Sequence, residues 1–375
     1  MPENVFARIK QENQLFKDET VLYPDFLPER LWERDQEVQE IAFALKPAST
    51  GGKPRNVFVY GPPGTGKTAT IRFVLKQLQE YSGKAKTVLV NCFETNSRHS
   101  VLSFLANAFG AIVPKRGVGS EETYSELLSV WKRSKIVPII VLDEADQLLS
   151  SEEGSKLLYD LLRVSELQGT RTGVIIVSND SELLVNLDER VKSSLSPQSL
   201  FFEKYSPVQL KIILEERTKK AFFSNVLEKE VIPLAAGHAA RMGGDCRVGI
   251  ECLLAAGREA EKQNSSQLTP KHLQLVFDSV DKVSLEKRLN YLNAAETGVL
   301  QAIARHNGLT TGDLFVFFQD ETEKSLGERM FRAIISKLEQ MRLIEAKSLA
   351  EGIKGKTRRL TLLVNKEKVL KLKGV

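Results

Sequence analysis

"NVFVYGPPGTGKTAT", residues 56–70, decides the fold. Val57 to Tyr60 read as a short buried strand, a glycine-rich turn follows, and from Lys67 the run TATIRFVLKQLQE continues as a helix. The turn fits G-x-x-x-x-G-K-[ST], with Gly61, Gly66, Lys67 and Thr68 at the fixed places and Pro62, Pro63, Gly64 and Thr65 between them. That spacing has a physical reason. Glycines let backbone N–H groups curl around phosphates at a helix N-terminus, where the helix dipole also favours anions. Lysine then reaches the β- and γ-phosphates, and the hydroxyl of the next residue ligates magnesium. Residues Gly61 to Ala69 are therefore expected to hold ATP or ADP, with Thr68 on Mg²⁺.

A phosphate site of this kind needs an acidic partner on a neighbouring strand. "IVPIIVLDEAD", residues 136–146, supplies one: an apolar, β-branched run with the pattern of a buried parallel strand, ending in Asp143 and Glu144. Asp143 is expected in the Mg²⁺ shell and Glu144 beside the attacking water. A third strand, "TGVIIVSND" (172–180), ends in Asn179, whose amide suits orienting water or sensing a γ-phosphate.

Composition bounds the rest. With 375 residues, 42% hydrophobic and 27% charged, the chain has the size for two or three globular domains. Its longest strongly apolar run, "IVPIIVL", is far shorter than the roughly 20 residues of a bilayer span, and a cytoplasmic location with no membrane partner is expected. Three cysteines, Cys92, Cys246 and Cys252, fit no paired zinc spacing, so reduced thiols are expected. Charge is unevenly spread: residues 1–280 carry 35 cations against 36 anions, whereas 341–375 carry ten against three.

That basic end has a pattern. "SLEKRLNYLNAAETGVLQAIARHNGLTTGDLFVFFQD" reads as a helix, a break at Asn307-Gly308 and a second helix. "SLGERMFRAIISKLEQMRLI" then sets Leu326, Met330, Phe331, Ile334, Ile335 and Leu338 on one helical face and Arg329, Arg332 and Ser336 on the other. Finally "EGIKGKTRRLTLLV" (351–364) reads as a hairpin with Lys354, Lys356, Arg358 and Arg359 at its tip. Three helices and a glycine-jointed hairpin predict a winged helix on double-stranded DNA. Its third helix would lie in the major groove, and the basic wing would meet phosphates or the minor groove.

Phosphate loop, Asp-Glu strand and polar third strand together resemble the AAA+ ATPases. Within that superfamily the chain is similar to the archaeal replication initiators related to the origin recognition complex and the cell division control protein. "LDERVKSSL" (187–195) resembles the arginine-finger segment, which would make Arg190 a residue acting in trans. "GGDCRVGIECLLAAGREAE" (243–261) resembles the second sensor of the lid, implying that Arg247 faces the γ-phosphate. "FLPERLWERDQEVQEIAFAL" (26–45) is similar to the family's opening box, which implies Pro28, Arg30 and Arg34 near the adenine. "YSPVQLKIILEERTKKAF" (205–222) resembles the start of the lid, implying Tyr205 and Arg217 along the nucleotide, and "NCFETNSRHSVLSFLANAFG" (91–110) resembles the helix that initiators insert.

The resemblance implies an α/β AAA+ core over 1–205 with a parallel sheet, a helical lid over 206–282 and a winged helix over 283–375. It further implies a nucleoid-associated, slowly hydrolysing ATPase that binds a replication origin, helps load the replicative helicase, and meets paralogous initiators on DNA. The same motifs leave room for an AAA+ DNA translocase or helicase, which also ends in a winged helix, and for a nucleotide-gated transcription regulator.

Overall fold

The computed structural model describes residues 14–111, 119–321, 326–348 and 358–372. It forms two compact units: one spans Asp25–Lys204, and the other joins the chain up to Pro24 to Tyr205–Val375.

In chain order the first unit contains α1 (Asp35–Leu45), β1 (Val57–Tyr60), α2 (Lys67–Tyr81), β2 (Ala85–Asn91), α3 (Arg98–Phe109) and α4 (Ser120–Ser134). It continues with β3 (Val137–Asp143), α5 (Asp146–Leu149), α6 (Glu152–Gln168), β4 (Gly173–Ser178), α7 (Glu189–Leu195) and β5 (Gln198–Phe201). The strands pair in parallel in the order β2-β3-β4-β1-β5. Every residue of β3 and of β4 is buried, as continuous apolar runs in the middle of a parallel sheet require. Apolar side chains of α1 and α2 cover one face of the sheet, and those of α3, α4 and α6 cover the other. This strand order matters for chemistry. It sets the carboxyl ends of β1, β4 and β3 side by side, so the phosphate loop, Asn179 and Asp143 follow one another along one sheet edge.

Two local details refine the sequence reading. The inserted helix begins at Arg98, not Asn91, because Ser97 and Ser100 form a reciprocal cap there and Asn91 is still the last residue of β2. Arg98 itself is almost fully buried and bridges Asp160 at 2.8 Å and Glu121 at 3.2 Å, tying α3 to α6 and α4.

The second unit contains α8 (Pro207–Ala221), α9 (Val231–Arg241), α10 (Cys246–Lys262) and α11 (Pro270–Asn290). After these come α12 (Ala294–Arg305), α13 (Thr311–Glu321), α14 (Glu328–Gln340), the antiparallel pair β6 (Ile344–Ser348) and β7 (Arg358–Leu362), and α15 (Lys366–Leu370). The boundary expected at 282/283 falls inside α11. After Pro270 that helix has no glycine or proline to end it, and it runs 21 residues. α12 to α14 and the hairpin enclose a separate core around Phe331, Ile335, Leu338, Leu300 and Ile303. Met330, expected on that apolar face, is 54% exposed. Before α13 the chain meets β7 in an isolated antiparallel bridge between Thr310 and Arg359.

Residues 14–24, which the sequence reading placed with the core, pack on α8 and α10. Phe16 stacks on Phe222 with centroids 4.6 Å apart, and a carboxylate oxygen of Glu261 accepts the N–H groups of Leu15 and Phe16 at 2.8 and 3.2 Å. Arg258 binds Glu19 at 3.1 Å. Glycine at 257 is required here, because a Cβ would collide with the Phe16 ring.

Candidate nucleotide site

The phosphate loop owes its shape to two glycines. Gly61 has φ +144, and a Cβ there would strike the carbonyl oxygen of Phe202; Gly66, with φ +89, opens α2 in the left-handed region. Lys67, 7% exposed, donates to the carbonyls of Gly61 and Pro62 at 2.7 Å each and to Oδ1 of Asn179 at 2.8 Å. These three neutral oxygens hold the ammonium at the phosphate loop.

Next to it, the Thr68 hydroxyl donates to Oδ2 of Asp143 at 2.9 Å, while Oδ1 accepts the Glu144 N–H at 3.1 Å. Burial pushes the Asp143 carboxyl above the usual range, against the pull of the Thr68 hydroxyl and the Glu144 amide. A divalent cation would reverse that balance. A hydroxyl and a carboxylate side by side, both hard oxygen donors, are the chemistry Mg²⁺ takes from protein when phosphates supply other ligands, so these residues fit the ion. Glu144 follows at φ +54, a conformation an L-residue adopts at some expense of backbone energy. The Ala145 N–H bonds to the Val177 carbonyl at 2.9 Å, and the Ser178 hydroxyl to Asp146 at 2.9 Å, so β3 and β4 are locked together beyond their ladder.

Of the other residues expected around the nucleotide, Arg34 meets the loop directly. It is 5% exposed, and its Nε donates to the Thr65 carbonyl at 2.9 Å. Arg30 is exposed, lies 4.1 Å over the Trp32 ring and pairs with Asp35, and Pro28 is half-buried nearby in the chain. Arg190 is exposed on the first turn of α7.

The second unit holds the remaining three. Tyr205 is buried. Arg217 donates to the Val21 carbonyl at 2.7 Å, and burial lowers its guanidinium below the ordinary arginine range. Arg247 is clasped by Asp245 through Nε at 3.0 Å and Nη2 at 2.7 Å, and the same carboxylate caps α10 by accepting the Arg247 N–H. Burial works against charge on Asp245, but the Arg247 guanidinium outweighs it and holds the carboxyl below its usual range. Asp245 escaped the sequence reading, although an aspartate just before a helix is a cap signal.

At the basic end, Arg329 and Arg332 are exposed on α14, Arg332 paired with Glu328, and Ser336 is half-buried. Arg358 and Arg359 lie within β7, opposite Ser348 and Lys347, and not at the hairpin tip. Arg358 is drawn to Glu339, near the end of α14, at 2.9 Å. Lys354 and Lys356 lie outside the described residues.

Residues 51–184 match the AAA domain family, and residues 211–276 match the Cdc6 AAA+ ATPase-type lid domain. The chain is 34% identical over 363 residues to ORC1-type DNA replication protein 3 of Haloarcula marismortui, covering 96% of both. It is 33% identical over 385 residues to the ORC1-type DNA replication protein of Pyrococcus abyssi, covering 98% of this chain and 92% of that one. Its structure is similar to that of the Aeropyrum pernix ORC1 protein in complex with DNA, with a TM-score of 0.71 at 31% identity over 96% of this chain and 97% of that chain. With a phosphate loop facing Asp143 and Asn179, a lid of the Cdc6 type and likeness above 30% along nearly the whole length, the chain belongs to the ORC1-type DNA replication proteins, within the AAA+ ATPases.

Proposed function

We propose that this protein initiates DNA replication as an ATP-switched binder of origin DNA. The observation that carries the reading is the row of polar strand ends, Lys67 with Asn179 and Thr68 with Asp143, in a chain of this family. With ATP supplying the scissile phosphoanhydride, Thr68 and Asp143 would hold Mg²⁺, which would neutralise charge on the phosphates. Lys67 exchanges its neutral acceptors for phosphate oxygens. Glu144 polarises the attacking water from its left-handed position, and Asn179 orients it. Tyr205, Arg217 and Arg247 keep the nucleotide roles that the family resemblance gives them, and Arg190 serves a neighbouring copy or paralogue assembled on DNA. Slow turnover suits a switch.

In the same reading α12 to α14 and the hairpin are a winged helix. α14 offers Arg329 and Arg332 to base edges in the major groove, and Arg359 meets phosphate. The Aeropyrum pernix relative solved with DNA supports this part, and helicase loading follows from the family resemblance. Among the described residues no helix is long and apolar enough to cross a membrane.

Chromatin immunoprecipitation tests the biological half, with enrichment expected at one or a few replication starts. A salt series on the enriched duplex tests the chemical half. Arg359→Ala should weaken binding and flatten the slope of log K against log salt by about 0.9 for the lost phosphate contact. Enrichment at promoters, with no change in slope, would instead favour a transcription regulator.

A further inference from the structure

The guanidinium of Arg34 gathers three separate stretches of chain. Its Nε donates to the carbonyl of Thr65 inside the phosphate loop at 2.9 Å, its Nη2 to the carbonyl of Glu203 at 2.7 Å, and its Nη1 to the Glu37 carboxylate on α1 at 2.7 Å. The planar group lies 5.2 Å over the ring of Phe202, which is fully buried. Phe202 is also the residue whose carbonyl closes on Gly61 at the other end of the loop. The loop is thus braced at both ends from the same short stretch, 202–203, and Arg34 carries the brace to Thr65. Thr65 is itself 1% exposed and turns its hydroxyl back to Pro62 at 2.9 Å, so its carbonyl cannot swing away cheaply. Glu203 sits two residues before the point where the chain leaves the first unit.

We propose that Arg34 is a positioning residue of the phosphate loop: it fixes the carbonyl of Thr65 so that the loop N–H groups converge on phosphate, and it ties that loop to the stretch leading out of the core. It therefore governs affinity for the polyphosphate and not recognition of the base. Lysine cannot replace it, because one ammonium cannot reach the Thr65 and Glu203 carbonyls in the same plane while lying flat on Phe202. Glu37 orients the fork and has a smaller effect of the same sign.

The inference rests on the loop binding nucleotide, and calorimetry on the full chain separates the two ideas. The probes are ATP, GTP and inorganic tripolyphosphate, and the proteins are wild type, Arg34→Gln, Arg34→Lys and Glu37→Gln. Arg34→Gln should weaken ATP and tripolyphosphate by the same factor, about ten- to hundredfold, with the ATP/GTP preference unchanged. Arg34→Lys should fall between Gln and wild type, so a poorly folded Gln variant leaves the test standing, and Glu37→Gln should show a few-fold parallel loss. Hydrogen exchange in the Lys variant should quicken in residues 61–66 and at 203–205 together. If ATP weakens while tripolyphosphate does not, Arg34 serves the base and the proposal is wrong. Unchanged affinity for both probes would overturn it equally, and a wild type that binds neither ATP nor tripolyphosphate would remove the nucleotide reading and this inference with it.

Discussion

At the scale of single residues, the chemistry turns on which partner each charge holds. Lys67→Ala removes the ammonium proposed above to meet the phosphates; charge-assisted hydrogen bonds of about 1.5–3 kcal/mol each predict a loss of at least about a hundredfold in ATP affinity by titration calorimetry. Glu144→Gln keeps the side chain's shape and should bind ATP as before while turnover falls by about 10²–10⁴, the usual contribution of a general base. The Asp245 clasp predicts a gain. Asn still caps a helix well, so Asp245→Asn should leave α10 in place and release Arg247 for the sensor role proposed above. Because Arg247 is half exposed, the effect is modest, about 0.5–1 kcal/mol, or a two- to fivefold rise in the preference for ATP over ADP. The placing of Lys67 and Thr68 was legible in the sequence because the loop's spacing is a rigid backbone device, and that of Asp143 because it ends an apolar strand. The partners of Arg34 were not, because the carbonyls of Thr65 and Glu203 carry no side-chain identity and are 31 and 169 residues away.

Elements were legible where periodicity alone decides them. The buried strands β1, β3 and β4, the helix after the phosphate loop and the three C-terminal helices follow from apolar spacing. Boundaries set by contacts were not: α11 crosses the expected domain limit because nothing within it breaks a helix, and the segment 14–24 joins α8 and α10 through aromatic stacking that its own sequence does not announce. That segment gives two sharp expectations. Gly257→Ala should raise helix propensity by about 1 kcal/mol in an isolated helix, yet here the new methyl must displace Phe16, so a net destabilisation of about 1–3 kcal/mol and faster trypsin cleavage near residue 20 are expected. Acid should loosen the same contact. The hydrogen bonds from Arg258 and then Tyr23 hold the Glu19 carboxyl below its ordinary range. Its contribution is therefore complete above the unfolded value, about 4.3, and vanishes as pH falls through the lowered one. Protection factors in residues 15–23, taken against the intrinsic exchange rate at each pH and followed downward from pH 5, should fall in wild type and be low throughout in Glu19→Gln.

For the whole molecule, the decisive fact is that one unit is made of two distant pieces of chain. Leu15, Phe16, Val21 and Leu22 are all nearly inaccessible. Burying each is worth about 1.5–3 kcal/mol, so together they rival the entire stability of a typical domain, about 5–15 kcal/mol. A fragment of residues 205–375 should consequently be poorly folded alone and recover a cooperative melting transition when a peptide of residues 14–24 is added, whereas 25–204 should melt as a unit by itself. Scanning calorimetry of the three samples decides it. The same nesting also governs birth on the ribosome. Leu15 and its acceptor Glu261 are 246 residues apart, so at about 5–20 residues per second the N-terminal segment waits on the order of 10–50 s for its partner to be synthesised. The intervening sheet is complete well before then. Synthesis therefore imposes an order in which the nucleotide core closes first, as an insert, and the greasy leading segment stays exposed to chaperones until the ribosome has made α10.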